Sequence, residues 1–323
     1  MSVTPTILVH GGAGALRNMS GERARLYRDG LADAARAGRD ALARGESALE
    51  AVRVATRVFE ASGTFNAGGG ACLDEDGAFA LDAALMRGAD RAAGAVGACA
   101  ATLHPVDVCQ DLIDEGRHVL LVGEGADRRA RRLDLPPLPP VTEEKLATYR
   151  ELKTQHVERA EDLSTVGRPD DERGEGDADS QDTVGAVAVD AEGRVAASVS
   201  TGGLWLKQKG RVGDSAGVGS GLFACDELGA AASATGIGER MIRGLTSYLA
   251  CEAARAGGAQ AGARAALEDL ARRFGPDSGG VIVVDRQGRL GAAFNTQGMG
   301  RALARVGQEA VPVAVWPDDP FPL

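Results

Sequence analysis

The chain has 323 residues, 44% of them hydrophobic, with a formal net charge of −10. That length and apolar content suffice to bury one large core or two, which excludes a disordered or purely spacing role. The acidic balance carries no basic stripe, which argues against a nucleic-acid surface, and no apolar run approaches the length of a membrane span.

Cys72, Cys99, Cys109, Cys225 and Cys251 are dispersed, odd in number and form no C-x-x-C pair, and the four histidines are equally scattered. No zinc spacing exists, and free thiols in a reducing cytoplasm are expected. The chain reaches Ile7-Leu8-Val9 almost at once and shows no signal-peptide pattern.

Residues 6–10 form an apolar strand that runs into a glycine turn. Residues 20–44 have a helical pattern, with Ser20 as N-cap and Tyr27, Leu31, Ala34 and Ala41 on one face, although Gly38 interrupts it. A second helix over 47–61 carries Leu49, Val52, Val54 and Val58, and Gly63 with Gly68-Gly69-Gly70 ends it. A hairpin is expected through Cys72-Leu73-Asp74 and Phe79-Ala80-Leu81. Helices over 106–114 and 126–132 should flank a buried strand over 118–122. Four prolines between 136 and 140 favour extended chain, and 143–161 is a polar helix. Residues 157–182 are dense in Asp and Glu and short of apolar side chains, the composition of a mobile linker.

The pattern then restarts sharply. Strands over 183–189 and 194–200 pair across the turn Asp190-Ala191-Glu192-Gly193. Helices follow over 238–256 and 260–274, and a second hairpin joins 280–285 to 290–296. Strands clustered between helix groups in each half suit an α/β (α+β) fold, a four-layer α-β-β-α sandwich. Segments 1–182 and 183–323 are expected to share one domain.

Thr183 opens a β-branched run directly after the acidic stretch, in Gln181-Asp182-Thr183-Val184-Gly185. A buried strand has no chemical reason to begin there, whereas a hidden N-terminus does. Cutting between Asp182 and Thr183 would give Thr183 a free α-amine beside its own hydroxyl, so that one residue carries nucleophile and base. Such an amine has a pKa of about 7.7–8.0, close to working pH. One hairpin later Thr201 can return alongside Thr183, followed by Gly202-Gly203. Arg211 and Asp214 offer the opposite charges a zwitterionic amino acid requires, a guanidinium for its carboxylate and a carboxylate for its ammonium. Thr235-Gly236-Ile237-Gly238 precedes a helix, where a hydroxyl and a backbone N–H can face a developing oxyanion. Gly217-Val218-Gly219-Ser220-Gly221 lacks the Lys-Ser/Thr of a phosphate loop.

Together with His10-Gly11-Gly12-Ala13-Gly14, Phe65-Asn66-Ala67-Gly68 and Leu81-Asp82-Ala83, these motifs closely resemble the plant-type asparaginase and isoaspartyl peptidase family of N-terminal-nucleophile hydrolases. The resemblance runs from Leu8 to about Arg301, apart from roughly 132–181. It implies Thr183 as nucleophile and Thr201 as the hydroxyl that orients it. It implies Asn66 as a positioning residue, Thr235 and Gly236 as oxyanion donors, and Arg211, Asp214 and Gly238 as shaping the substrate pocket. His10 is expected to be structural. No catalytic cofactor is implied, but a sodium ion is, held by the backbone carbonyls of Phe59, Glu60, Ser62, Phe65, Ala67 and Gly69. The implied substrates are asparagine and β-aspartyl dipeptides, and the implied assembly is a homodimer of cleaved protomers.

Asp182 departs from the Gly-Thr junction common in bacterial members and resembles that of glycosylasparaginases and taspases. The His-Gly-Gly-Ala-Gly opening favours the asparaginase branch over the first. Against a taspase stand Thr201, where taspases carry serine, and Asp214, for which they lack an acid. A third possibility is an uncleaved, inactive fold that only binds.

Overall fold

The computed structural model describes residues 3–14, 21–162 and 183–323. The expected cap Ser20, the stretch 163–182 and the Asp182 side of the junction lie outside the described residues.

Among the described residues twelve strands make two sheets. The larger has the order β12-β11-β1-β5-β6-β2-β3-β4 and the smaller β10-β9-β8-β7. At the centre of the larger lie β1 (Thr6–Gly14), β5 (Val184–Val189) and β6 (Val195–Thr201), all antiparallel neighbours. Outside them run β2 (Leu81–Arg87), β3 (Ala93–Cys99) and β4 (Leu120–Val122) on one side, with β11 (Gly298–Arg305) and β12 (Val313–Ala314) on the other. Chain from both sides of the Asp182–Thr183 junction is thus interleaved in one sheet. The smaller sheet comprises β7 (Leu222–Cys225), β8 (Ala230–Gly236), β9 (Gly279–Asp285) and β10 (Leu290–Phe294).

Three apolar layers hold this together. Leu8, Met86, Val187, Val199, Leu222 and Ile282 pack between the sheets. Helices α1 (Gly21–Ala43), α2 (Ala48–Ser62) and α3 (Pro105–Glu115) cover the outer face of the larger sheet through Leu31, Val52, Phe59 and Leu112. The other sheet is covered by α7 (Thr246–Gly257) and α8 (Ala259–Phe274) through Cys251, Ala263 and Leu270. This is the expected α-β-β-α sandwich. Burial on both faces explains why the central strands are continuously apolar rather than alternating.

Local chemistry sets the boundaries. The Ser47 side chain accepts from the Glu50 N–H at 3.2 Å and starts α2, and Gly63 in the left-handed region ends it. Gly38 inside α1 is a contact point, because a Cβ there would meet Ile7 Cδ1 of β1 at 2.2 Å. The Asp190 carboxylate accepts from the N–H groups of Glu192 and Arg194, closing the β5–β6 turn.

Several expectations need correction. The first strand does not stop at His10 but continues to Gly14 through a bulge between His10 and Ala13. The strand near 118–122 is a short edge strand with exposed Val119, Leu120 and Val122, not a buried one. Only one bridge, Leu73 to Phe79, forms within the expected hairpin, and Leu81 opens β2. The helix expected over 238–256 breaks at Leu245, whose φ of 48° separates α6 (Gly238–Gly244) from α7. The helix expected over 126–132 is α4 (Glu124–Arg132), and the polar helix exists as α5 (Glu143–Asp162), with Leu146 and Tyr149 packed against the cluster of Ala71, Leu73, Phe79 and Leu81. Among the described residues no helix is long and apolar enough to cross a membrane.

Candidate active site

Thr183 sits at the head of β5, where the register pairs Val184 with Ser200 and so brings Thr183 beside Thr201. The Thr183 hydroxyl donates to Thr201 Oγ1 at 3.2 Å, and Thr201 Oγ1 also accepts from the Gly203 N–H at 2.9 Å. Both threonines are buried. Asn66 secures the turn that follows. Its Nδ2 donates to the Gly203 carbonyl at 2.7 Å, its Oδ1 accepts from the Cys72 N–H at 2.8 Å, and its own carbonyl accepts from the Gly202 N–H at 2.9 Å.

His10 lies opposite Gly185, with Nε2 3.0 Å from Ser233 Oγ. Burial pushes its pKa down to about 3, opposed by a backbone contact with Thr183. A neutral imidazole locked between the sheets suits the structural role expected of it. Ser233 Oγ occupies the space a Cβ on Gly185 would need, 2.2 Å away, so β8 touches β5 here. Two residues further along β8, Thr235 emerges on the same face as Ser233.

The Thr235 hydroxyl is fully buried and has no hydrogen-bond partner among the described residues. Beside it Gly236 has a φ of 140°, and a Cβ there would meet the Ser278 carbonyl at 2.3 Å, so only glycine fits. Ile237 and Gly238 follow at the start of α6.

Arg211 and Asp214 lie in the loop before β7, and their arrangement differs from the pair expected. Arg211 Nε donates to Glu239 Oε1 at 3.0 Å, whereas Asp214 Oδ2 is buried without a partner among the described residues. Removal from water is the largest influence on the Asp214 carboxyl, which is raised to about 7 despite the counteracting charge of Arg211. Gly238 opens the space between the two: a Cβ on it would meet Arg211 Nη2 and Asp214 Oδ1, each at 2.8 Å. Arg211 Nη2 and one Asp214 carboxylate oxygen therefore converge on the Gly238 backbone, in space that any side chain there would fill.

Asp82 joins this loop to the nucleophile strands. It pairs with Thr201 across β2 and β6, and its carboxylate accepts from the N–H groups of Gly213 at 2.8 Å and Ala98 at 2.9 Å. Behind Thr201, the buried Glu60 carboxylate accepts from Ser200 Oγ at 2.8 Å and lies 3.1 Å from His104 Nδ1. Burial raises its pKa, and His104 opposes the rise. Sequence reasoning assigned no role to the side chains of Glu60, Lys207 or Glu239. Only Glu239 carried a signal, its place directly after Gly238.

The loop expected to hold sodium winds back tightly on α2, since a Cβ on Gly68 would meet the Glu60 carbonyl at 2.2 Å. The Phe59 carbonyl accepts from Ser62 Oγ at 2.8 Å, the Phe65 carbonyl from the Ala67 N–H at 2.7 Å, and the Ala67 carbonyl from the Gly70 N–H at 3.0 Å. Lys145 Nζ stands 3.5 Å from the Gly69 carbonyl. Among the described residues no cluster of His, Cys, Asp and Glu could hold a metal.

A four-layer sandwich with a threonine heading a central strand is the frame of an N-terminal-nucleophile hydrolase. A model of the family described as "Asparaginase" matches residues 3–312. The chain is 40% identical over 303 residues to the plant-type L-asparaginase of Pyrococcus abyssi, covering 93% of this chain and 96% of that one. It is 37% identical over 306 residues to the isoaspartyl peptidase of Escherichia coli K12, with 93% of each chain covered. With the isoaspartyl peptidase/L-asparaginase of Bos taurus it shares 34% over 307 residues, 95% of each. The chain belongs to this asparaginase family.

Proposed function

We propose that the protein is a self-activating amidohydrolase that cleaves L-asparagine and β-aspartyl dipeptides. The observation that carries this reading is the buried Asp214 carboxylate, whose Oδ2 finds no partner among the described residues, converging with the Arg211 fork on Gly238. A substrate with a free α-ammonium and α-carboxylate supplies both missing partners. Asparagine and β-aspartyl dipeptides share that head group and present a β-amide one carbon further on.

In this reading the Thr183 hydroxyl first attacks the Asp182 carbonyl, the peptide C–N bond breaks to free the Thr183 amine and leave an ester, and water hydrolyses that ester to restore the hydroxyl. In turnover the amine takes the hydroxyl proton as Thr183 Oγ1 bonds to the substrate's β-carbonyl carbon. Thr201 orients the hydroxyl, Asn66 holds the turn on which Thr201 depends, and the Thr235 hydroxyl and Gly236 N–H receive the oxyanion. The proton passes to the leaving nitrogen, which departs as ammonia or an amino acid. Water then hydrolyses the β-aspartyl ester, releasing aspartate.

We further propose that the carbonyls of Phe59, Glu60, Ser62, Phe65, Ala67 and Gly69 hold a sodium ion, since hard cations favour carbonyl oxygen. Each carbonyl has two lone pairs, so the bonds already made to Phe59, Phe65 and Ala67 leave capacity for an ion. Its contribution is to brace the loop carrying Asn66. The reading also includes a homodimer of cleaved protomers acting in the cytoplasm. Light scattering on the mature protein checks the assembly.

The deciding experiment uses mature protein with β-aspartyl-leucine and α-aspartyl-leucine. Hydrolysis of the β-linked peptide alone is expected, because in the α-linked one the carboxylate facing Arg211 has become a neutral amide. A site built for a charged partner rejects such an analogue by up to about 10⁴. Comparable rates on both would overturn the reading in favour of a taspase-like protease. A chain that stays in one piece on a denaturing gel after long incubation would point to the inactive binding protein.

A further inference from the structure

Lys207 is a buried lysine beside the Gly203 turn, and the proposed reaction leaves its charge unused. Only 5% of it is exposed, and its ammonium donates to the Ala80 carbonyl. It makes no ion pair among the described residues, although an ammonium has three donors and is costly to strip of water. Its backbone is fixed as well: the Lys207 N–H reaches the Leu204 carbonyl at 3.3 Å, and its carbonyl accepts from the Glu75 N–H at 3.0 Å. Burial lowers the lysine's pKa, while the carboxylate of Asp82 works against that fall.

The location gives this charge a purpose. A Cβ on Gly203 would meet Lys207 Nζ at 2.9 Å and Arg211 Nη1 at 3.0 Å, so two cationic nitrogens converge on the same small space. Glu239 engages the far side of Arg211, at Nε, and among the described residues no carboxylate bonds the Nη1 edge near Lys207. Asp82 spends its two oxygens on the N–H groups of Gly213 and Ala98. The Asp82 charge still acts on the lysine, but among the described residues no carboxylate oxygen bonds Lys207 Nζ or Arg211 Nη1, and these two cationic nitrogens face the same space beside Gly203.

We propose that Lys207 is a positioning residue of the α-carboxylate pocket, which holds the Arg211 edge toward the substrate and adds a second positive charge behind it. Like charges this close in a dry region repel, and neither can retreat. The Ala80 carbonyl tethers the lysine, and Glu239 tethers the arginine. An entering carboxylate relieves the repulsion, which makes the pocket selective for a free α-carboxylate rather than for any aspartyl group. This rests on the proposed substrate head group and adds to it the residue that sets its charge requirement.

The test is Lys207→Gln, which keeps a donor for Ala80 and removes the charge, with Lys207→Met as the variant that removes both. Fragment formation shows that each has folded its nucleophile half. Inhibition constants are measured for L-aspartate and for its α-amide, which keeps the ammonium and the β-carboxylate but lacks the α-carboxylate. For Lys207→Gln the expected result is L-aspartate weakened by about tenfold, the scale of one nearby charge in a partly dry site. The α-amide should shift little, and KM for asparagine should rise with kcat nearly constant. Equal weakening of both ligands would make Lys207 a merely structural residue and overturn the proposal, as would no change in either. Should the wild-type protein fail to bind L-aspartate, the substrate reading falls and this one with it. Wild-type discrimination that survives intact in the variant removes Lys207 alone.

Discussion

The side chains of Thr183, Thr201 and Asn66 are all hydrogen-bonded, although the neighbouring His10 Nδ1 is buried without a partner, whereas on the substrate side Asp214 Oδ2, Ser215 Oγ and Thr235 Oγ1 together find none among the described residues. The first group lies on or against the central strands of the larger sheet, and its bonds fix a geometry in advance. The second lies on β8 and the loop before β7. Leaving a buried polar group unsatisfied costs about 1–3 kcal/mol, so a fold keeps several together only where something else compensates. Satisfied atoms hold the nucleophile in place, and orphaned atoms mark where a ligand's own polar groups complete the network. The two regions should therefore answer mutation differently, one through folding and geometry and the other mainly through turnover.

The largest effect is expected at the satisfied end. Thr183→Ala removes the hydroxyl proposed to serve both self-cleavage and turnover, and losses of at least about 10⁴ in rate follow from deleting a nucleophile. Intact mass should show one chain, with ammonia release at background. A cut and active Thr183→Ala protein would refute the mechanism.

Thr235→Val comes next and should separate activity from stability. It keeps the side chain's shape and deletes a buried hydroxyl that bonds to nothing, so melting should stay level or rise. Deleting one oxyanion donor costs about 10²–10³ in kcat. A variant that loses stability while keeping kcat would reverse the roles assigned to the two regions.

The nucleophile pair shows how far the sequence alone reaches. Thr183 and Thr201 could be paired in advance because Asp190-Ala191-Glu192-Gly193 is a strong turn and fixes the register of its flanking strands. The strands β2 and β8 were not expected. Leu81-Asp82-Ala83-Ala84-Leu85-Met86-Arg87 is made largely of good helix formers, and burial on both faces removes the alternation that would have marked a strand. Ala230–Gly236 is similarly rich in small residues because two sheets pack closely there. The break at Leu245 has no Gly or Pro to announce it. Lys207 is hidden for another reason: lysine is almost never fully buried, and nothing in its neighbours distinguishes it from a surface residue. Arg211 and Asp214 were legible as opposite charges, but their separation, one bonded to Glu239 and the other left open, depends on how α6 meets the loop.

Asp214→Asn should act in the same direction as Thr235→Val with a smaller effect on rate. A charge-assisted bond to an ammonium contributes about 1.5–3 kcal/mol, which corresponds to roughly 10- to 150-fold in kcat/KM for asparagine. Self-cleavage should proceed normally, since it needs no ammonium site. An unchanged specificity constant in a mature variant would end the proposed role of Asp214.

The smallest effect is one of pH, and it sets the two regions against each other within the ligand-free protein. The Asp214 carboxyl sits at about 7 in the fold against an ordinary value of 3.8, so the folded chain holds this proton more tightly than the unfolded one. Its contribution is therefore fully present below about 3.8 and lost as pH rises through about 7. His10 behaves oppositely: at about 3 in the fold against 6.5, it favours folding above 6.5 and loses that contribution as pH falls toward 3. Because asparagine does not titrate, Asp214→Asn should melt a few degrees above wild type at pH 8, and the gap should close toward pH 4. Saturating L-aspartate should narrow the pH 8 gap as well, by giving the wild-type carboxylate its ammonium. Melting curves for the two proteins that run parallel from pH 4 to 8 would mean that the Asp214 carboxylate is not the uncompensated group the structure makes it, and the contrast between the two regions would lose its main support.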